Sequence, residues 1–287
     1  MKSYQEFVAG FSRLLAEGRT SLPLGGFAPL PRPTISPGAP KALIFSPHPD
    51  DEVIIGGVAL RLLRELKMNV INVAVTQGSN KARQPERWQE LEACCRHIGF
   101  GLMATRPNGL EGINVKTRAQ APAQWAASVA RIAEILKQEQ PRVIFFPHAE
   151  DSNSSHIGTH HLLMDALQAM GDSLKCYAVE TEFWGAMDTP NLMVESSEQD
   201  ISDLLTALSF HVGEVRRNPY HLRMPAWLID NVRRGTELVG AQGGAAPDFL
   251  FATLYRMRRW TKGKLEPAYA GGTMVSKSGD LAPLFAL

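Results

Sequence analysis

The chain has 287 residues, 44% hydrophobic and 21% charged, the proportions of an ordinary globular protein that buries a core without staples. A formal charge of +1 gives no field to draw it to nucleic acid, and no run of about eighteen apolar residues suggests a transmembrane segment. Cys94, Cys95 and Cys176 form no Cys-x-x-Cys and no even set, and Met1 to Gly18 lacks an apolar signal-peptide stretch, so buried thiols and a cytoplasmic location are expected.

Phe7, Phe11, Leu14 and Leu15 recur at helical spacing, which predicts an amphipathic helix over Ser3 to Ala16. Leu22 to Pro40 carries Pro23, Pro29, Pro31, Pro33, Pro37 and Pro40, which forbid a helix or a central strand and predict an extended arm. Residues 1–40 therefore read as a helix and arm, suited to contacts in a homo-oligomer, ahead of a single domain over 41–287.

In that domain Ala42 to Phe45 reads as a buried strand, Ser46 to Glu52 as a polar loop, and Val53 to Leu66 as a helix with Gly56-Gly57 near its start. Asn69 to Thr76 is a β-branched strand, Pro85 to Ile98 a helix stopped by Gly99, and Gly101 to Thr105 a short strand. Ala123 to Gln138 is an amphipathic helix and Pro141 to Pro147 another buried strand. Beyond Cys176 the pattern is mixed, with a strand over Tyr177 to Phe183 and helices over Ile201 to Phe210 and Trp227 to Val239. Repeated strand–loop–helix units predict an α/β fold, a Rossmann-like layered, mostly parallel sheet with helices on both faces. Ligands of such sheets bind at the carboxyl ends of the strands, so the loops after Phe45, Thr76 and Phe146 should share one crevice.

Two of those loops carry the chemistry. Pro47-His48-Pro49-Asp50-Asp51-Glu52 packs three acids and a histidine directly after a strand, a cluster that repels itself unless a cation offsets it or a helix N-terminus shares the charge. The stretch from Asp151 to His161 places His156, His160 and His161 after another strand, three of the eight histidines. Together they can supply two histidines and a carboxylate to one metal, leaving an open position for water as in catalytic zinc sites. Such a metal brings the pKa of its water to about 7, and the carboxylate of Asp50 or Asp51 that does not ligate can take the proton. Iron(II) or cobalt(II) suits the same donors.

The Pro47–Glu52 run resembles the signature of the PIG-L/LmbE-like zinc de-N-acetylases. Thr76-Gln77-Gly78 is similar to that family's Thr-x-Gly, and Arg87-Trp88-Gln89-Glu90-Leu91 to its Arg-x-x-Glu-Leu helix. The resemblance implies an LmbE-like fold, zinc on His48 and Asp51, Asp50 as general base, Glu52 as a support and Arg87 on the substrate. Many members have His-Pro-Asp-His where this chain has His156-Ile-Gly-Thr-His160. On that alignment His160 is the third ligand and a protonated His156 steadies the oxyanion, with His156 and then His161 as alternative ligands. The implied reaction is hydrolysis of the N-acetyl group of an N-acetylglucosamine-type sugar or conjugate, a small-molecule substrate.

Other readings are an amidase on a non-sugar amide, a phosphoesterase needing a second metal, and a non-catalytic Rossmann-like binding protein. Against a nucleotide site, no Gly-x-Gly-x-x-Gly follows the first strand. Phe210-His211-Val212-Gly213 and Arg233-Arg234-Gly235 loosely resemble later family segments. Trp184, beside Glu182 and Phe183, offers a ring to stack on a sugar but reads first as a core tryptophan.

Overall fold

The alternation of apolar runs and polar loops after Lys41 becomes five parallel strands joined by helices. The structure, a computed structural model, describes residues 3–240 and 242–286. Helix α1 (Tyr4–Ser21) is capped by the Ser3 hydroxyl and buries none of its side chains. The proline arm that follows is extended and tied down by Leu30 N–H donating to the His97 carbonyl, 2.8 Å, and Gly25 N–H donating to Ser209 Oγ, 3.2 Å.

Strand β1 (Lys41–Ser46) is followed by α2 (Asp51–Ile54), α3 (Gly57–Arg64), β2 (Asn69–Ala74), α4 (Gln84–Ile98) and β3 (Gly101–Ala104). Then come α5 (Val115–Gln120), α6 (Pro122–Glu139), β4 (Val143–Pro147), α7 (Ser154–Met170) and β5 (Cys176–Thr181). The strand order β3-β2-β1-β4-β5 runs parallel throughout. Alternate residues of β1 feed opposite faces. Ala42 and Ile44 pack with side chains of α3 and α4, Leu43 and Phe45 with those of α6 and α7. This is the layered α/β fold expected from the pattern.

Two departures matter. The single helix expected over Val53 to Leu66 is broken between Ile54 and Gly57. Gly56 has φ +83°, and a Cβ there would lie 2.1 Å from Thr253 Oγ1, so the break lets a later strand press against it. The second departure is the carboxyl-terminal half. It comprises β6 (Leu192–Ser196), α8 (Glu198–Leu208), α9 (Val212–Arg217), α10 (Met224–Leu238), β7 (Phe251–Thr261), β8 (Lys264–Pro267) and β9 (Thr273–Val275). Strand β7 inserts antiparallel between β5 and β6, extending the same sheet to nine strands. Among the described residues no helix is long and apolar enough to cross a membrane, and all three cysteines are free and buried.

Candidate metal centre

The strand order reverses between β1 and β4: the chain winds outward through β2 and β3 on one side and β5 on the other. The crevice outside the carboxyl ends of such a pair is where doubly wound sheets bind ligands. Both histidine-bearing segments open there. The first runs from Ser46, the last residue of β1, into α2. The second follows β4 and enters α7, whose N-cap Asn153 accepts from Ser155 N–H.

Three donor atoms converge. His156 Nε2 lies 3.3 Å from His48 Nδ1 and 3.3 Å from Asp51 Oδ2, and His48 Nδ1 lies 3.5 Å from Asp51 Oδ2. Two donors held at about 2.0–2.1 Å by a tetrahedral zinc are about 3.3–3.4 Å apart, the edge being about 1.6 bond lengths. The spacing, the two-nitrogen, one-carboxylate chemistry and the near-complete burial of Asp51 and His156 all fit such an ion. Although burial opposes it, His156 and His48 hold the Asp51 carboxyl well below the usual carboxylate range. Burial likewise works against a charged His156, but Asp51 and Asp151 outweigh it and raise that imidazole to about 10.

Behind His156 stands Asp151, its Oδ2 3.6 Å from Nδ1. Asp151 is fixed in turn by the N–H groups of Asn153, at 2.8 Å, and Trp184, at 3.1 Å. A carboxylate behind a ligating histidine sets its tautomer and orientation. The resemblance gave Asp151 no role, and its place at the head of the second cluster was the only local signal.

Asp50 lies beside the cluster without belonging to it. Its φ of 115° puts a non-glycine residue in the left-handed region, a strained backbone of the kind that clusters at functional sites. Two contacts hold it: its N–H donates to Glu52 Oε2, 2.9 Å, and the Tyr220 hydroxyl donates to its Oδ2, 2.6 Å. Burial, reinforced by Asp51, pushes its carboxyl up to about 7 against the pull of His211, Arg87 and the Tyr220 hydroxyl. Glu52 is clamped from the other side by His211 Nε2 at 2.6 Å, both fully buried. His211 is therefore linked to the site through Glu52. Tyr220, 170 residues from Asp50 in sequence, had no motif to announce it.

The structure does not bring His160 to the donors. It lies one turn further along α7, where its Nδ1 sits 3.0 Å from the Pro147 carbonyl and 3.5 Å from Glu180 Oε1. Glu180 is gripped by Arg256 and Arg258, and burial lowers the His160 imidazole to about 4, leaving it neutral. His156 lies in the first turn of α7, beside the other two donors. The structure thus brings His48 and Asp51 together with His156, the alternative ligand, and not with His160. His161 projects elsewhere and is ring-stacked edge-on to His160. Arg87 is held in place: its Nη2 donates to the Pro49 carbonyl at 2.9 Å, and Gly78 leaves room for Nη1, where a Cβ would come within 2.4 Å. Trp184 is no core residue, being 48% exposed.

Residues 43–167, from β1 through α7, match the family of GlcNAc-PI de-N-acetylases, PIG-L. No curated protein matches the sequence significantly. Among solved structures, the N,N'-diacetylchitobiose deacetylase from Pyrococcus horikoshii is 16% identical with a TM-score of 0.56, over 90% of this chain and 93% of its own. A teicoplanin deacetylase is 15% identical with a TM-score of 0.53, over 76% and 98%. The 4-carboxy-2-hydroxymuconate hydratase from Pseudomonas putida KT2440 is 16% identical with a TM-score of 0.52, over 76% and 95%. These neighbours share the fold while differing in reaction, so activity is argued from the site. Over residues 43–167 the chain is thus similar to the PIG-L family of de-N-acetylases, hydrolases of amide bonds.

Proposed function

We propose that the protein hydrolyses the N-acyl group of an amino sugar of the N-acetylglucosamine type, free or conjugated, with a zinc ion held by His48, Asp51 and His156. The observation that carries this reading is the 3.3–3.5 Å triangle of donor atoms beside a strained, partnered Asp50 that is not one of them. When bound there, zinc supplies Lewis acidity, acidifying water and polarising the amide carbonyl.

Every other task falls to side chains of this chain. Asp50 takes the proton of the attacking water and delivers it to the leaving nitrogen, which must depart as an amine. Tyr220 and Glu52 hold Asp50 in that position, the first at its carboxylate and the second at its backbone N–H. Asp151 keeps His156 aimed at the centre. Arg87, braced on Pro49, places positive charge near Asp50 and the substrate. A polar cavity of 430 Å³, lined by His48, Thr76, Ser79, Gln84, Asn114 and Ser155 among others, offers the hydroxyl and amide groups a sugar ring needs.

The test is zinc content of the purified protein and amine release from N-acetylglucosamine and its glycosides, with and without chelator. One zinc per chain and release abolished by chelator are expected. Zinc at full stoichiometry with no release from any amino-sugar amide would overturn the substrate reading.

A further inference from the structure

A second cavity borders the donor cluster, and nothing in the hydrolysis of an acetyl group uses it. It measures 190 Å³ and is walled by Ile54, Phe183, Trp184, Tyr220, Met224 and Trp227 together with the exposed Arg223. Two of its walls touch the catalytic groups directly. The Tyr220 hydroxyl donates to Asp50, and the Phe183 ring packs edge-on against the His156 imidazole with centroids 4.8 Å apart. Trp184 stands edge-on to Tyr220 at 5.6 Å, and Ile54 lies at the end of the short helix that opens with Asp51.

The two cavities therefore both border the cluster, one with mixed polar and apolar walls and the other mainly apolar. His48 lines the first, while Tyr220, which touches Asp50, and Phe183, which touches His156, line the second. An amide carbon placed at the cluster with its sugar among the polar groups must send its acyl substituent towards the aromatic side. An acetyl methyl, about the size of one water molecule at ~30 Å³, fills little of that space, whereas an apolar cavity of about 150 Å³ holds a benzene molecule.

We infer that the aromatic cavity is an acyl pocket, and that the preferred substrate carries an apolar acyl group of about benzene size on the amino-sugar nitrogen rather than acetyl. This rests on the reading of the cluster as the site of amide hydrolysis. Apart from Ile54, the pocket is built from residues outside the stretch shared with the family, so it is mainly a property of this chain's own carboxyl-terminal half.

The experiment compares kcat/KM of the zinc-loaded enzyme for N-acetylglucosamine, N-phenylacetylglucosamine and phenyl N-acetyl-β-glucosaminide. The phenylacetyl amide is expected to exceed the acetyl amide by about 10- to 100-fold, the discrimination a well-filled apolar pocket supplies. Trp227→Ala should bring that ratio towards one, and Trp227→Phe should keep most of it. Equal rates on the two amides overturn the proposal. So does a gain confined to the phenyl glycoside, which would assign the pocket to the alcohol side of the sugar. If none of the three is hydrolysed, the hydrolase reading fails, and the pocket is judged by binding alone. Phenylacetate should then quench tryptophan fluorescence in the wild type and much less in Trp227→Ala. No Trp227-dependent signal overturns the pocket as well.

Discussion

Residues 41–170 and residues 176–286 form one continuous sheet, but they divide the work. The first stretch places all three donor atoms and Asp50 at the carboxyl ends of parallel strands, where backbone geometry gathers them from segments close to two strand ends. The second contributes none of those groups. It supplies what holds and surrounds them: the Tyr220 hydroxyl on Asp50, His211 on Glu52, the Trp184 N–H on Asp151, and most of the aromatic wall. The chemistry is thus local in sequence and its positioning is distant. A substitution in the first region should remove a step, and one in the second should misplace it.

The largest effects test the first half of that division. Asp50→Asn keeps the size and shape of the side chain but takes no proton. Turnover should fall by about 10²- to 10⁴-fold with zinc stoichiometry unchanged. His48→Ala should lose the zinc itself. Metal analysis beside an amide-hydrolysis assay separates the two, and an active Asp50→Asn or a fully zinc-loaded His48→Ala would break the assignment. The next effect decides between two histidines of one helix. His156→Ala should weaken zinc by more than the ~10–100-fold typical of residues that only support a ligand, while His160→Ala should stay within that range. The reverse order, read by competition with a chromogenic chelator, would return His160 to the donor set.

That pair of histidines also shows how far sequence carries. The parallel units, the crevice, and the placing of His48, Asp51 and the second cluster beside it are legible because strand–loop–helix periodicity and clustered ligand types are local signals. Choosing between His156 and His160 requires knowing where α7 begins, since residues four apart share one helix face and differ by a whole turn in depth. Asn153 is an N-cap residue and places His156 in the first turn, so the signal was present in capping chemistry rather than in motif spacing. Strand β7 was hidden for another reason. Arg256 and Arg258 interrupt its apolar run, and they are at home in a central strand only because Glu180 on β5 pairs with both. No local pattern reports a partner 76 residues away, and the same holds for Tyr220 and Asp50.

A smaller effect lies at the border of the two regions. Asp151 belongs to the first, but its carboxylate is held partly by Trp184 N–H and Gly185 N–H from the second. Asp151→Asn keeps the shape and removes the charge behind His156. Zinc affinity should drop by about 10- to 100-fold with the chain still folded. An unchanged affinity, measured by the same chelator competition, would mean that His156 is aimed by packing against Phe183 alone.

The smallest effect bears most directly on the division, because Tyr220 has two functions that one substitution separates. Its hydroxyl donates to Asp50, and its ring lines the aromatic cavity. Tyr220→Phe removes the first and leaves the second. A hydrogen bond to the charged carboxylate favours that form and so lowers the Asp50 pKa; without it the pKa rises. A base must be deprotonated to act, so the acidic limb of the pH–rate profile should move to higher pH. At neutral pH kcat should fall by about tenfold, the equivalent of about 1.4 kcal/mol and near the usual worth of a hydrogen bond to a charged group. The preference between acyl groups should persist, since the ring remains. If the acyl preference collapsed while the pH profile stayed in place, Tyr220 would be a wall and not a positioning residue, and the carboxyl-terminal half would shape the substrate without reaching the chemistry.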